Sequence, residues 1–143
     1  MTSETFNLLI IEDDPSEQKL LKMIITESGY NTHLKFISDG EEAIDFINSF
    51  PGLETIFNRI NLVLLDLNLP KINGIEILES LKRNPLLKKV PAIILTTSHN
   101  KNDVEAAYNA GASGYIRKPS TIQEYEAAIN TLFNYWFGIC LTS

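Results

Sequence analysis

At three places in this chain an aliphatic run, and at a fourth a short mixed stretch, leads into a polar side chain suited to metal or phosphate chemistry. Leu8 to Ile11 runs into Glu12, Asp13 and Asp14, and Leu62-Val63-Leu64-Leu65 runs into Asp66. Ala92 to Leu95 finishes in Thr96, and a short stretch at about Ser113 to Ile116 leads through Arg117 to Lys118 and Pro119. Carboxylates crowded onto one rim repel strongly unless a cation joins them. An oxygen-only set with room for water suits Mg2+, which binds through a few carboxylates plus phosphate oxygens. Taken alone, Asp66 reads more readily as a turn-capping acid ahead of Pro70 and Gly74. The company it keeps is what favours chemistry.

For those ends to meet, the aliphatic runs must be neighbouring strands. Four consecutive aliphatics read as a strand buried on both faces, the pattern of a parallel sheet's interior. Between the strands lie helix signals. Asp14 with Pro15 and Glu17 opens the first helix, Leu20, Leu21, Ile24 and Ile25 mark its buried face, and Gly29 ends it. His33 to Phe36 alternates polar and apolar, as an edge strand does. Asp39 with Glu42 opens a second helix, with Ala43, Ile44 and Ile47 inward. Residues 49–60 form a longer connection, with a short helical turn expected around Leu53 to Phe57. Asn73 with Glu76 starts the third helix, which stops at Asn84-Pro85, and a fourth is expected from about Asn102 to Ala110 before Gly111. Ser120 with Gln123 reads as the cap of the last helix, whose stripe is Tyr125, Ala128, Ile129, Leu132, Phe133 and Trp136. Five strands alternating with five helices imply an α/β fold with right-handed crossovers and helices on both faces. For five parallel strands the flavodoxin-like order 2-1-3-4-5 is the natural choice, and ligands then sit outside the carboxyl ends of the strands.

The totals narrow the function. A chain of 143 residues and 16.1 kDa is expected to be one domain with a core at about 7–134 and an aromatic extension at 135–143. A net charge of −6 disfavours nucleic acid or an anionic membrane as partner, and no apolar run reaches membrane-spanning length. The basic cluster of Lys82, Arg83, Lys88 and Lys89 reads as a solvated loop. Cys140 has no partner for an internal disulfide and no Cys/His spacing suggests zinc, which fits a reducing cytoplasm. Without a second effector domain in these residues, output would come from this domain binding something.

The sequence resembles the receiver domain of bacterial two-component response regulators from Leu8 to about Leu132. The resemblance rests on Ile11-Glu12-Asp13-Asp14, on Leu65-Asp66-Leu67-Asn68-Leu69-Pro70 with Gly74, on Leu95-Thr96-Thr97, and on Gly111-Ala112-Ser113-Gly114-Tyr115-Ile116-Arg117-Lys118-Pro119. It implies a signalling protein, whose only catalysis is its own phosphorylation and slow autodephosphorylation. Asp66 would be the phosphoacceptor, attacking the phosphohistidine of a sensor histidine kinase. Glu12, Asp13, Asp66 and the backbone carbonyl of Asn68 would hold Mg2+, with Mn2+ able to substitute. Lys118 would bring a point charge to the phosphate and Thr96 a hydroxyl. Tyr115 would turn inward as Thr96 moves, remodelling the face of the fourth helix, fifth strand and fifth helix for a downstream protein. Tyr115 also reads as an aromatic packing at the sheet edge. The Lys118-Pro119 bond would be cis. Two departures stand out: Glu12 where aspartate is frequent, its longer arm implying contact through water, and Asn73 at the helix cap.

A narrower resemblance, through Asp66 to Lys71, Leu95 to Asn100 and the late Trp136, is to the stand-alone regulators that partner bacterial phytochromes. Tyr135, Trp136, Phe137, Ile139 and Leu141 continue past a minimal receiver. Exposed apolar patches mark interfaces, so a homodimer through the last helix and tail is expected, the alternative being a tail folded back on its own domain. Other functions compete less well. An aspartate-nucleophile phosphatase wants a second acid where this chain has Asn68, and a nucleotide binder wants a glycine-rich cradle after the first strand. A degenerate receiver serving only as a scaffold would not need the full set of acids, Thr96 and Lys118.

Overall fold

The structure, a computed structural model, describes residues 4–53 and 57–139. Five strands, β1 (Phe6–Ile11), β2 (Thr32–Ile37), β3 (Leu62–Leu65), β4 (Ala92–Thr96) and β5 (Gly114–Arg117), form one parallel sheet in the order β2-β1-β3-β4-β5. Between and after them run α1 (Pro15–Thr26), α2 (Gly40–Ser49), α3 (Gly74–Arg83), α4 (Lys101–Asn109) and α5 (Ile122–Phe133). A π-helical turn, Asn134–Ile139, continues α5. Alternate residues of each central strand serve opposite layers. Leu9, Ile11, Val63, Leu65 and Ile94 pack with Ala43 and Ile47 of α2, Ile77, Leu78 and Leu81 of α3, and Ala107 of α4. Leu8, Ile10, Leu62, Leu64, Ile93 and Leu95 pack with Leu21, Ile24 and Ile25 of α1 and Tyr125, Ile129 and Phe133 of α5. Deleting a leucine buried this fully costs about 2–5 kcal/mol, so the strands are a stiff mount for whatever their ends carry.

The helix starts follow local chemistry. Asp14 accepts from Ser16 N, Asp39 from Glu41 N and Glu42 N, and Asn73 from Ile75 N. The last cap falls one residue later than its spacing predicts: Thr121 accepts from Glu124 N, in place of Ser120 serving Gln123. Adjacent hydroxyls offer the same cap, and the need to bury Tyr125, Ile129 and Phe133 selects the register. Phe57 and Ile60 of the long connection are buried, while the helical turn expected around Leu53 to Phe57 falls largely outside the described residues.

Two expectations are corrected. The Lys118-Pro119 bond is trans, and Phe50-Pro51 is the cis bond among the described residues. Trans is the default even before proline, and Lys118 already reaches the acids while its N–H donates to Thr96 O at 2.8 Å. Phe137, expected at a surface between two copies, turns back onto its own domain. Its ring stacks on Phe6 at 4.0 Å between centroids and 12° between planes, and meets Tyr30 and Phe133 edge-on or tilted. Trp136 also packs partly against this layer, whereas Tyr135 and Ile139 stay exposed. Cys140 and Leu141 lie outside the described residues. Among the described residues, no helix is long and apolar enough to cross a membrane.

Candidate functional site

The first and third strands are neighbours, with Ile11 opposite Leu65, so the residues that follow them emerge side by side. Backbone pairing persists into the rim: Glu12 N donates to Ile37 O at 3.0 Å and Asp66 N to Ile11 O at 3.1 Å. Glu12 and Asp66 are buried and Asp13 half-buried. One carboxylate oxygen from each of the three lies within 4.8 Å of the others. Lys118 arrives from the far end of β5. Its Nζ is 2.7 Å from Glu12 Oε1, 3.1 Å from Asp66 Oδ2 and 3.8 Å from Glu17 Oε2.

Burial pushes the Glu12 carboxyl above its usual range, against the opposing hydrogen bonds from Lys118 and Asp14 N. Burial alone would pull Lys118 down, but its hydrogen bonds and attraction to Glu12 and Asp66 outweigh it, and the amine is held above the ordinary lysine range. Lys118 is therefore a permanent cation at neutral pH. A single ammonium among Glu12, Asp13, Asp66 and Glu17 leaves excess negative charge, and the donors are all hard oxygens. The residues fit a divalent cation such as Mg2+.

The loop after β3 is tied to both neighbours. Asn68 N donates to Asp66 Oδ1 at 3.0 Å, fixing the carboxylate's orientation, and Asn68 Nδ2 donates to Thr96 Oγ1 at 3.1 Å. Thr96 is fully buried. Lys71 takes φ +68°, and Gly74 packs directly beneath the acid: a Cβ there would stand 2.8 Å from Leu67 Cα and 3.0 Å from Asp66 O. Tyr115 is half-buried at the edge of the layer that includes α3 and α4, and its hydroxyl donates to Ser98 O at 2.8 Å. Ser98 Oγ in turn donates to Asp103 Oδ2 at 2.6 Å.

Every expected member of the site thus lies at the carboxyl ends of β1, β3, β4 and β5, with Tyr115 beside it on β5 and Pro119 immediately beyond. Tyr135, Trp136, Phe137 and Ile139 sit on the turn that extends α5. Residues to which the sequence reading gave another role, or none, also take part. Gln18 Nε2 donates to Glu12 O at 2.6 Å. Glu17, whose spacing reads as a capping box, turns to Lys118 and accepts from the Tyr125 hydroxyl at 2.9 Å. A signal for the last contact was present, since a tyrosine inside an apolar stripe needs a partner for its hydroxyl.

Comparison with known proteins places this geometry. The family model for the response regulator receiver domain matches residues 8–130. The response regulator Rcp1 of Synechocystis is 34% identical over 129 residues, covering 90% of this chain and 87% of that protein. The phosphorylated cyanobacterial phytochrome response regulator RcpA superposes with a TM-score of 0.87 at 27% identity, over 97% of this chain and 99% of that one. The Mn2+-bound form of Rcp1 superposes with a TM-score of 0.82 at 30% identity, over 96% and 99%.

Proposed function

The chain belongs to the response regulator receiver domain family, and we propose that its Asp66 accepts a phosphoryl group from the phosphohistidine of a sensor kinase. A carboxylate oxygen of Asp66 attacks phosphorus as the P–N bond breaks, and that electron pair returns to the imidazole ring. The reaction is mostly positioning and electrostatics. Lys118, held against Asp66 at 3.1 Å, is placed to meet the incoming phosphoryl oxygens. Asn68 N fixes the other Asp66 oxygen. Glu12, Asp13, Asp66 and the carbonyl of Asn68 would hold Mg2+ or Mn2+, which when bound offsets charge on the transferring group. The observation that carries this reading is the convergence of the Glu12, Asp13 and Asp66 carboxylates within 4.8 Å, with Lys118 bridging Glu12 and Asp66.

The signal then leaves through the surface. Thr96 Oγ1 accepts from Asn68 Nδ2, which leaves its own O–H to turn toward a phosphoryl group on Asp66. Movement of Thr96 releases Tyr115 from Ser98, and the face of α4, β5 and α5 changes shape for a downstream protein. The likeness to Rcp1 and RcpA favours a kinase of the phytochrome class. A homodimer fits the α5 side: Ile116, Ala128, Leu132 and Tyr135 line an apolar cavity there, and Ile139 is 77% exposed. Phosphotransfer tests the reading directly. A phytochrome-class kinase autophosphorylated with labelled ATP should lose its label to this chain, as a base-labile acyl phosphate. Transfer to Asp66→Asn at the wild-type rate would overturn it.

A further inference from the structure

Tyr125 raises a question that the site chemistry leaves open. It stands in the first turn of α5, 3% exposed, on the same stripe as Ile129 and Phe133. A hydroxyl carried into such a layer is costly unless it is hydrogen-bonded. Its partner is Glu17 Oε2 at 2.9 Å, and the same oxygen lies 3.8 Å from Lys118 Nζ. Glu17 does not serve the start of α1, where Asp14 accepts from Ser16 N. An unbroken line of polar contacts therefore runs from Asp66 and Glu12 through Lys118 and Glu17 to a buried residue of α5. Burial, and then the charge of Glu17, hold the Tyr125 hydroxyl well above the ordinary tyrosine range, so it acts as a donor throughout.

We propose that Glu17 and Tyr125 form a positioning pair for Lys118, through which the occupancy of the acidic rim is carried to helix α5. The inference rests on Asp66 being a phosphoacceptor. In the resting protein Lys118 Nζ is shared among three carboxylates, those of Glu12, Asp66 and Glu17. A phosphoryl group on Asp66 brings about −1.5 to −2 of charge to one of those three positions. Nζ follows it, and Glu17 loses part of its cation. Its carboxylate then leans more heavily on the Tyr125 hydroxyl, its neutral donor. The route is distinct from the one through Thr96 and Tyr115, which lies on the opposite layer of the sheet. It ends on the helix whose extension is clamped by Phe137 against Phe6 and Tyr30.

Tyrosine labelled with 13C at Cζ reads this route without altering the protein. The chain has five tyrosines, so Tyr125 is assigned by its absence in Tyr125→Phe. Acetyl phosphate and Mg2+ are added, with intact mass on the same sample reporting phosphorylation. The Tyr125 resonance should shift on phosphorylation of the wild type, and that shift should fall by at least half in Glu17→Gln. A fully phosphorylated wild type with an unmoved Tyr125 resonance overturns the pair, as does an undiminished shift in Glu17→Gln. If mass shows no phosphoryl group on the wild type, the phosphoacceptor reading fails by itself. Lys118→Ala in the resting state then decides the pair: a displaced Tyr125 resonance supports it and an unchanged one removes it.

Discussion

Replacing Lys118 with methionine keeps most of the stem and deletes the charge that binds the acidic rim together. In the wild type the ammonium makes two charge-assisted hydrogen bonds, at 2.7 Å to Glu12 and 3.1 Å to Asp66. All three side chains are at most 9% exposed, so solvent screens them little. Hydrogen bonds to charged groups are worth about 1.5–3 kcal/mol each, and removing one partner of a buried pair costs about 3–5 kcal/mol. A loss of about 3 kcal/mol at pH 7.5 is expected. At about 1–3 kcal/mol per molar urea, that lowers the unfolding midpoint by at least roughly 1 M.

The pH dependence has a definite sign. Glu12 is raised by burial even with Lys118 opposing it, and the substitution removes that opposition. A carboxyl whose folded pKa exceeds its unfolded one stabilises most below the unfolded value, and the benefit is lost as pH rises through the folded value. The variant should therefore recover on acidification from pH 7.5 to 5.5, as Glu12 takes up a proton and the uncompensated buried charge is removed. In the wild type the Lys118 contribution is constant over that window, because its raised pKa defers the loss to strongly alkaline pH. Urea unfolding of both proteins at the two pH values is the assay. Equal midpoints at pH 7.5, or a deficit that widens on acidification, would refute the reasoning.

Gly74→Ala should lower the melting temperature by several degrees and slow labelling of Asp66, because the new Cβ meets backbone atoms of Leu67 and Asp66 at 2.8 and 3.0 Å. Overpacking of this kind costs about 1–3 kcal/mol, and a melting temperature unchanged within about a degree would contradict that. Phe137→Ala should cost about 2 kcal/mol, since half-buried stacking on Phe6 is lost. At concentrations too low for the dimer, Ile139→Ala should cost under about 0.5 kcal/mol, because Ile139 is exposed in the single chain; equal losses would contradict the packing of Phe137 against its own domain. In sedimentation at tens of micromolar the wild type should run as a dimer and the double substitution Tyr135→Ser with Ile139→Ser as a monomer. A monomeric wild type would end the dimer proposal.

The strands were legible because each central one is an uninterrupted aliphatic run, and only a sheet covered on both faces buries such runs. The acids were legible because they directly follow such runs, and Lys118 because it follows the short mixed strand β5, so placing the strands placed them. What was not legible depended on choices the chain makes between equivalent local options. Ser120 and Thr121 cap equally well until the packing of Tyr125 and Ile129 selects one. Glu17 sits at capping distance from Asp14, yet the buried Lys118 competes for it, and the ion pair wins over the cap. Phe137 carries no mark separating a surface aromatic from one folded onto Phe6, because Phe6 and Tyr30 lie more than a hundred residues away along the chain. The Lys118-Pro119 expectation came from resemblance alone, and nothing in the local contacts demands a cis bond there.

Borohydride trapping after brief exposure to acetyl phosphate and Mg2+ tests most directly whether the converged rim makes Asp66 an acceptor. Reduction of an acyl phosphate converts the aspartate to its alcohol, and peptide mapping then locates the modified residue. The account predicts modification at Asp66 alone, abolished by chelation of Mg2+ and by Asp66→Asn. Modification at another carboxylate, or equal modification of Asp66 with the metal removed, would contradict it.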